Sequence, residues 1–311
     1  VNDTPIRLGT RGSPLALAQA HLVRKLMCEA HGWPEAAVEL VILKTIGDKI
    51  LDRPLSEVGG KGLFTKELEE GLFDQRIDLA VHSMKDVETK LPPGLVLGAI
   101  LPREDPRDRL IGPYRKLADL PAGARVGTSS LRRAAQLMNK RPDLIIVPFR
   151  GNVGTRLAKL EAGEADATIL AAAGLNRLGH ADLGHTIQVG DMLPAVAQGA
   201  IGIEIRADDA RTREAIAPLN DLETADAVTA ERAFLAVLDG SCRTPIAAYA
   251  RYDNDGSKTG AEVVVRGEIL RPDGSVRHAG RRTGDPSDAV SMARDLADEL
   301  KSKAGAGFFA P

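Results

Sequence analysis

Apolar and polar positions along the chain fall into short strand-like runs alternating with helical stretches. Ile6-Arg7-Leu8-Gly9-Thr10 reads as a strand that runs into Arg11-Gly12-Ser13-Pro14. There Ser13 suits an N-cap and Pro14 the first helical position. Leu15, Ala18, Leu22 and Leu26 supply the apolar face of the helix that follows, and Gly32 fits its stop. A second strand is predicted at Val38 to Leu43. Val58-Gly59-Gly60-Lys61-Gly62 opens another helix through Glu70, and Asp78-Leu79-Ala80-Val81 reads as a short buried strand.

The pattern then comes round again. Arg125-Val126-Gly127-Thr128-Ser129-Ser130 repeats the strand, Gly-Thr pair and hydroxyl-capped helix of residues 7–13. Thr155 to Asp166, with its helix, Gly163 and the run into Ala167-Thr168-Ile169-Leu170, parallels Thr65 to Asp78 and the run into Val81. Two similar α/β domains with mostly parallel sheets account for this order. The charged, proline-rich Pro102 to Pro106 reads as a crossing between them, and Val196 to Ile205 as a second crossing back. The last stretch differs: a helix from about Ala225 to Leu238, strand-like runs at Ile246–Tyr252 and Glu262–Ile269, turns at Asp253–Gly256 and Pro272–Gly274, and a helix carrying Val290, Ala293, Leu296 and Leu300. This is an α+β pattern with an antiparallel sheet. The expected domains are 1–101 with 199–219, then 106–195, then 222–311.

Composition narrows the function classes. The chain has 311 residues, enough for two domains of about 150 residues or three small ones. Aromatics at 3% disfavour a stacking platform for single-stranded nucleic acid. A net charge of −2 argues against a general polyanion or membrane-surface binder. The apolar run from Ala167 to Ala173, broken by Thr168, is far below the roughly 18 residues of a spanning helix. Val1-Asn2-Asp3 begins no signal-peptide pattern, and Cys28 and Cys242 make neither a disulfide framework nor a metal-binding spacing. The expectation is a cytoplasmic protein that binds neither nucleic acid nor membrane and has no metal site.

The candidate chemistry lies at strand-to-helix junctions. Both repeats place a hydroxyl-rich turn at a helix N-terminus, where free N–H groups and the positive helix end favour anions. Arg11 stands by the first turn and Arg132-Arg133 just inside the second. Arg150 and Arg156 flank a third junction, Lys61 sits in a glycine loop, and Lys85 follows the Asp78–Val81 strand. Cations gathered at strand C-termini in a near-neutral chain point to an anionic ligand, and arginine's planar fork favours carboxylate or phosphate. Taken singly, each arginine also fits a solvated surface residue. Asp86 reads either as a carboxylate that meets a developing cation or moves protons, or as the cap of the next turn. His82 reads as a satisfied packing residue. Cys242, in Gly240-Ser241-Cys242-Arg243-Thr244-Pro245, lies in a loop rather than a core position; Cys28 fits an inert small hydrophobe.

Taken together, these strings resemble the porphobilinogen deaminases, also called hydroxymethylbilane synthases. The resemblance rests on Gly9-Thr10-Arg11-Gly12-Ser13-Pro14, Val58-Gly59-Gly60-Lys61-Gly62-Leu63-Phe64, Ala80-Val81-His82-Ser83-Met84-Lys85-Asp86 and Arg103-Glu104-Asp105-Pro106-Arg107-Asp108. It continues through Val126–Arg133, Arg150–Arg156, Pro194–Ala200 and Cys242–Ile246. It implies two periplasmic-binding-protein-like α/β domains plus a small C-terminal α+β domain. It implies a transferase that joins four porphobilinogen molecules head to tail, losing ammonia at each addition, to give hydroxymethylbilane. A dipyrromethane cofactor would be joined by a thioether to the cysteine matching Cys242. Asp86 matches the family's catalytic aspartate. Arg11, Ser13, Ser83, Lys85, Thr128, Ser130, Arg132, Arg133, Arg150, Arg156 and Gln198 match cofactor- or substrate-contacting positions. Lys61 and Phe64 match a loop near the cleft, and Arg177 a basic position there. A monomer is implied. Two departures stand out: Ile46 before Gly47-Asp48, where many members carry Arg or Thr, and Ser241 in place of a glycine common before the cysteine.

Two other readings compete. A two-lobed carboxylate-binding protein without catalysis would need neither Asp86 nor Cys242. A transferase using Cys242 as acyl or phosphoryl nucleophile would need a nearby base, and the sequence supplies no obvious one.

Overall fold

The structure, a computed structural model, describes residues 4–45, 64–240, 244–253 and 262–309. The chain divides into two units, residues 1–104 with 200–225 and residues 105–199 with 226–311.

The first unit opens with β1 (Ile6–Arg11). The Ser13 Oγ accepts the Ala16 N–H at 3.3 Å and starts α1 (Pro14–His31), which Gly32 stops at φ 64°. The buried face of α1 is Ala16, Gln19, Ala20, Val23 and Met27, while Leu22 is exposed. That corrects the expected stripe of Leu15, Ala18, Leu22 and Leu26, which is rotated one position away. Small residues on the centre line let the helix lie close on its sheet, and larger side chains border the contact. β2 (Val38–Leu43), α2 (Lys66–Phe73), β3 (Leu79–Ser83) and β4 (Leu95–Ile100) follow.

The second unit begins with β5 (Asp108–Ile111), β6 (Arg125–Gly127), α3 (Leu131–Lys140) and β7 (Ile145–Val147). Next come α4 (Val153–Glu161), β8 (Ala167–Ala171), α5 (Ala172–Arg177) and β9 (His185–Thr186). β10 (Ile201–Arg206) and α6 (Ala210–Ile216) belong to the first unit again, and α7 (Leu222–Val237) leads back into the second. β11 (Ile246–Asp253), β12 (Glu262–Leu270), β13 (Arg277–Gly284) and α8 (Ala289–Ala304) close the chain.

The two five-stranded sheets have the same plan, β2-β1-β3-β10-β4 and β7-β6-β8-β5-β9. In each, four strands run one way, and the fourth in order, β10 or β5, is antiparallel to both neighbours. The sheets are therefore mixed where mostly parallel ones were expected. β5 and β10 each follow a crossing segment rather than a crossover helix, the connection that enforces parallel pairing. The repeated Gly-Thr pair has one physical cause in both copies. A Cβ at Gly9 would strike Ile77, and one at Gly127 would strike the buried ring of Phe149.

Apolar cores fill each sheet's faces: Leu8, Val23, Met27, Leu79 and Ile203 in the first unit, Leu110, Val126, Leu137 and Ile169 in the second. The third sheet, β11-β12-β13, is antiparallel throughout. β13 was not foreseen, because Arg-His-Ala-Gly-Arg-Arg-Thr-Gly carries no apolar alternation. The fold class is thus two α/β domains with a small α+β domain. No helix among the described residues is long and apolar enough to cross a membrane.

Candidate functional site

In the first unit, parallel β1 and β3 are hydrogen-bonded neighbours, so their C-terminal ends lie side by side. That is where open α/β sheets bind ligands. β1 ends at Arg11, whose guanidinium lies over the Phe64 ring at 4.1 Å. β3 ends at Ser83, and a single 3-10 turn, Met84–Asp86, carries Lys85 and Asp86. Gln19, buried on α1, donates from Nε2 to the Ser83 Oγ at 2.8 Å. Arg11, Ser13, Gln19, Phe64, Ser83 and Asp86 all line one cavity of about 60 Å³. Lys85, half-buried on the same turn, does not line it.

Beneath this corner, His82 Nε2 meets Glu204 Oε2 at 2.9 Å, with both side chains buried. His82 is therefore held by a carboxylate, in keeping with a packing role. Gln19 and Glu204 were not singled out from sequence. A lone acid within Ile201-Gly202-Ile203-Glu204-Ile205 was the available signal for Glu204. Burial pushes the Glu69 carboxyl up, and the nearby Glu204 charge adds to it.

In the second unit, the turn after β6 is stitched by hydroxyls. Thr128 Oγ1 accepts the Ser130 N–H at 3.2 Å, and Ser130 Oγ caps α3 by accepting the Arg133 N–H at 3.4 Å. Arg132 and Arg133 are 5% and 6% exposed, too buried for solvated surface residues. Arg132 donates from Nη2 to Asp108 at 2.8 Å and from Nη1 to the Leu193 carbonyl at 2.6 Å. Arg133 donates from Nη2 to the other Asp108 oxygen at 2.7 Å and from Nη1 to the Ile169 carbonyl. Gln198 Nε2 adds a third bond to Asp108, at 2.8 Å. Its neighbour Ala197 sits at φ 58°, and Glu231 holds that strained residue by accepting its N–H. Burial pushes the Asp108 carboxyl up, but the two guanidiniums more than reverse this and hold it well below the ordinary carboxylate range.

Next to that pair lies a set of cations that Asp108 does not neutralise. Asn152 caps α4, and Arg156 on its first turn donates Nε to the Gly151 carbonyl at 2.8 Å. Arg156 makes no ion pair among the described residues. Burial, then the positive charges of Arg133 and Arg150, push it down to about 10. Arg150 Nη1 and Arg133 Nε are buried without a hydrogen-bond partner. Arg177 donates to the Gly199 carbonyl at 2.7 Å. Guanidiniums gathered with more positive charge than their carboxylate answers make a site for an anion.

A family model described as "Porphobilinogen deaminase, dipyromethane cofactor binding domain" matches residues 6–214, and one described as "Porphobilinogen deaminase, C-terminal domain" matches residues 225–302. The chain belongs to the porphobilinogen deaminase family. A porphobilinogen deaminase of Paracoccus denitrificans is 56% identical over 99% of this chain and 97% of its own length. A chloroplastic porphobilinogen deaminase of Oryza sativa subsp. japonica is 54% identical over 98% and 85%. Among solved structures, a Salmonella typhimurium periplasmic binding protein of high arginine specificity superposes with a TM-score of 0.39. It is 14% identical, covering 71% of this chain and 94% of that one. That likeness is too loose to carry an argument.

The residues present fit the porphobilinogen deaminase cofactor. A dipyrromethane carries an acetate and a propionate on each ring, and the Arg133, Arg150 and Arg156 corner lacks just such carboxylates. Lys61, Cys242, Ser241 and Ile46-Gly47-Asp48 lie outside the described residues.

Proposed function

We propose that this chain catalyses the porphobilinogen deaminase reaction, joining four porphobilinogen molecules head to tail with loss of ammonia to give hydroxymethylbilane. The observation that carries the reading is the guanidinium set at the β6–α3 and Arg150–Arg156 junctions, which exceeds its one buried carboxylate. Arg133, Arg150 and Arg156 bind pyrrole acetates and propionates, with Thr128, Ser130 and the α3 N-terminus adding N–H and hydroxyl donors. Arg132 and Gln198 hold Asp108, and Asp108 in turn aims Arg133. Arg11 and Lys85 take carboxylates in the other unit, with Ser13 and Ser83 as hydrogen-bonding partners and Phe64 holding Arg11 in place. Lys61 and Arg177 complete the set.

Asp86 is the catalytic residue. At each addition the aminomethyl C–N bond breaks, ammonia leaves with the electron pair, and the carbon bonds to a pyrrole α-carbon, which then loses its proton. The Asp86 carboxylate stabilises the positive charge that builds on the ring and accepts or returns the proton. Bound through a thioether to Cys242, the dipyrromethane supplies the free α-carbon for the first addition. Family matches that end at residue 214 and begin again at 225 support a third domain of 222–311, after domains of 1–101 with 199–219 and 106–195. The protein works as a cytoplasmic monomer.

Peptide mapping of freshly purified, active protein tests the attachment. An adduct of two linked pyrroles is expected on the Cys242 peptide, lost in Cys242→Ser and retained in Cys28→Ser. A free Cys242 thiol in active protein rejects it.

A further inference from the structure

A second polar cavity lies in the second unit, well away in sequence from the Arg150–Arg156 junction. Its volume is about 250 Å³, and it is walled by α3, residues 189–193 and one face of the β12–β13 ribbon. The opposite face of β13 is covered, with Arg282 paired to Glu299 of α8 and the His278 ring against Phe308. Side chains alternate along strands, so Arg277, Ala279 and Arg281 of β13 share the cavity face with Arg266 and Glu268 of β12.

The charges on this face do not balance. Lys140 faces Asp191 at 3.7 Å, and Arg277 meets Glu268 at 2.7 Å. Arg266 and Arg281 make no ion pair among the described residues, and Arg281 Nε reaches only Thr283 Oγ1, at 3.3 Å. These two are direct register partners across the strands. Like charges placed so destabilise a sheet unless something lies between or over them. The wall also holds an unanswered acceptor. Glu268 is 3% exposed, and its Oε1 has no hydrogen-bond partner although Oε2 is held by Arg277. A buried carboxylate oxygen without a donor is costly.

We propose that this cavity is a binding site for a small dicarboxylate that also carries a hydroxyl or ammonium donor. Arg266 and Arg281 take one carboxylate each through their planar forks, and the donor group answers Glu268 Oε1. The volume suits a ligand of metabolite size, just under the usual range of about 300–1,000 Å³ for ligand pockets. The site adjoins the buried arginines. The Leu193 carbonyl accepts from both Gln136 Nε2 in the cavity wall and Arg132 Nη1, so a ligand here touches the frame that holds Arg132.

Titration calorimetry of the full chain at low salt tests this with two probes, L-malate and succinate, which differ by one hydroxyl. Malate is expected to bind at least tenfold more tightly than succinate at a site that survives Arg156→Gln. Arg266→Gln and Arg281→Gln should each weaken malate at least tenfold. Glu268→Gln should weaken malate while leaving succinate within twofold. In the unsubstituted protein, saturating malate should protect the Arg266 and Arg281 peptides from phenylglyoxal, a readout that needs no variant to fold. Absence of malate binding, binding indifferent to both arginine substitutions, loss of the site in Arg156→Gln, or no protection of those peptides overturns the proposal. Equal affinity for the two probes overturns the part assigned to Glu268.

Discussion

The β1–α1 corner of the first unit and the β6–α3 corner of the second are built on one backbone plan and equipped in opposite ways. Both have a Gly-Thr pair at the C-terminal end of a strand, a hydroxyl cap and a helix pointing its N-terminus at the junction. In the first, a single arginine rests on Phe64, and a carboxylate, Asp86, comes from the end of the adjacent strand. In the second, two guanidiniums, Arg132 and Arg133, share one wholly buried acid, Asp108, and Arg150 and Arg156 add positive charge beside Arg133. A helix N-terminus therefore supplies a general taste for anions, while the side chains around it decide what the site does. The second corner has guanidinium in excess of carboxylate, and the first sets one carboxylate in a cavity with one arginine.

The largest expected effect breaks the second corner from within. Asp108→Asn leaves Arg132 and Arg133 buried without a counter-charge, and urea unfolding should show a loss of about 3–5 kcal/mol. A loss within experimental error would mean that the arginines need no acid to stay buried. The two guanidiniums lower the Asp108 pKa. The contribution is complete above its ordinary value of 3.8 and fades as pH falls through the lower folded value, so the wild-type advantage over Asp108→Asn should persist at pH 4.5 and shrink below pH 3.

The next tests the first corner's chemistry. Asp86→Asn keeps size and removes charge, and single turnover of holoenzyme assembled from supplied tetrapyrrole should slow by two or more orders of magnitude. That matches loss of one electrostatic stabiliser at about 2.7–4 kcal/mol. Asp86→Glu, with the charge displaced by one methylene, should retain more activity. Wild-type rates in Asp86→Asn would reduce this aspartate to a turn cap.

Arg156→Leu sharpens the contrast between holding a ligand and holding the fold. Removing one of several mutually repelling cations should raise the melting stability of cofactor-free protein by about 1 kcal/mol or less, since Arg156 is partly exposed. The same substitution should slow cofactor loading, read by intact mass. Lower apo stability together with normal loading would make Arg156 a structural residue. Smallest is Glu69→Gln in the first unit. Burial raises the Glu69 pKa, so its charged form costs stability at neutral pH and that cost vanishes as pH falls through the raised value. The variant should be more stable by about 0.5 kcal/mol at pH 7 and equal to wild type at pH 3.

Much of the fold was legible because its signals are local. Ser13-Pro14 and Gly32 bracket α1 as expected, the doubled strand order appears as two sheets of one plan, and Ile246 and Glu262 open strands where the runs begin. The inward face of α1 was misjudged because apolar size, which spacing records, is not what a close helix–sheet contact selects. In the site, Arg132, Arg133 and Arg156 were legible as cations at a junction. Their inequality was not. It depends on Asp108, 24 residues before Arg132, which the sequence offered only as the end of the Arg103–Asp108 string and gave no role.

The sequence by itself determined the order of elements, the repeat, the family and the residue types at each junction, because caps, turns and hydrophobic periods act within a few positions of themselves. Only the tertiary structure decided which charges are neutralised and which are left over. It set Asp108 between two arginines and Glu204 against His82, and it left Arg133, Arg150 and Arg156 to repel one another. Coulomb interactions of that kind depend on distance and on exclusion of water, and neither exists until strands far apart in the chain are brought side by side.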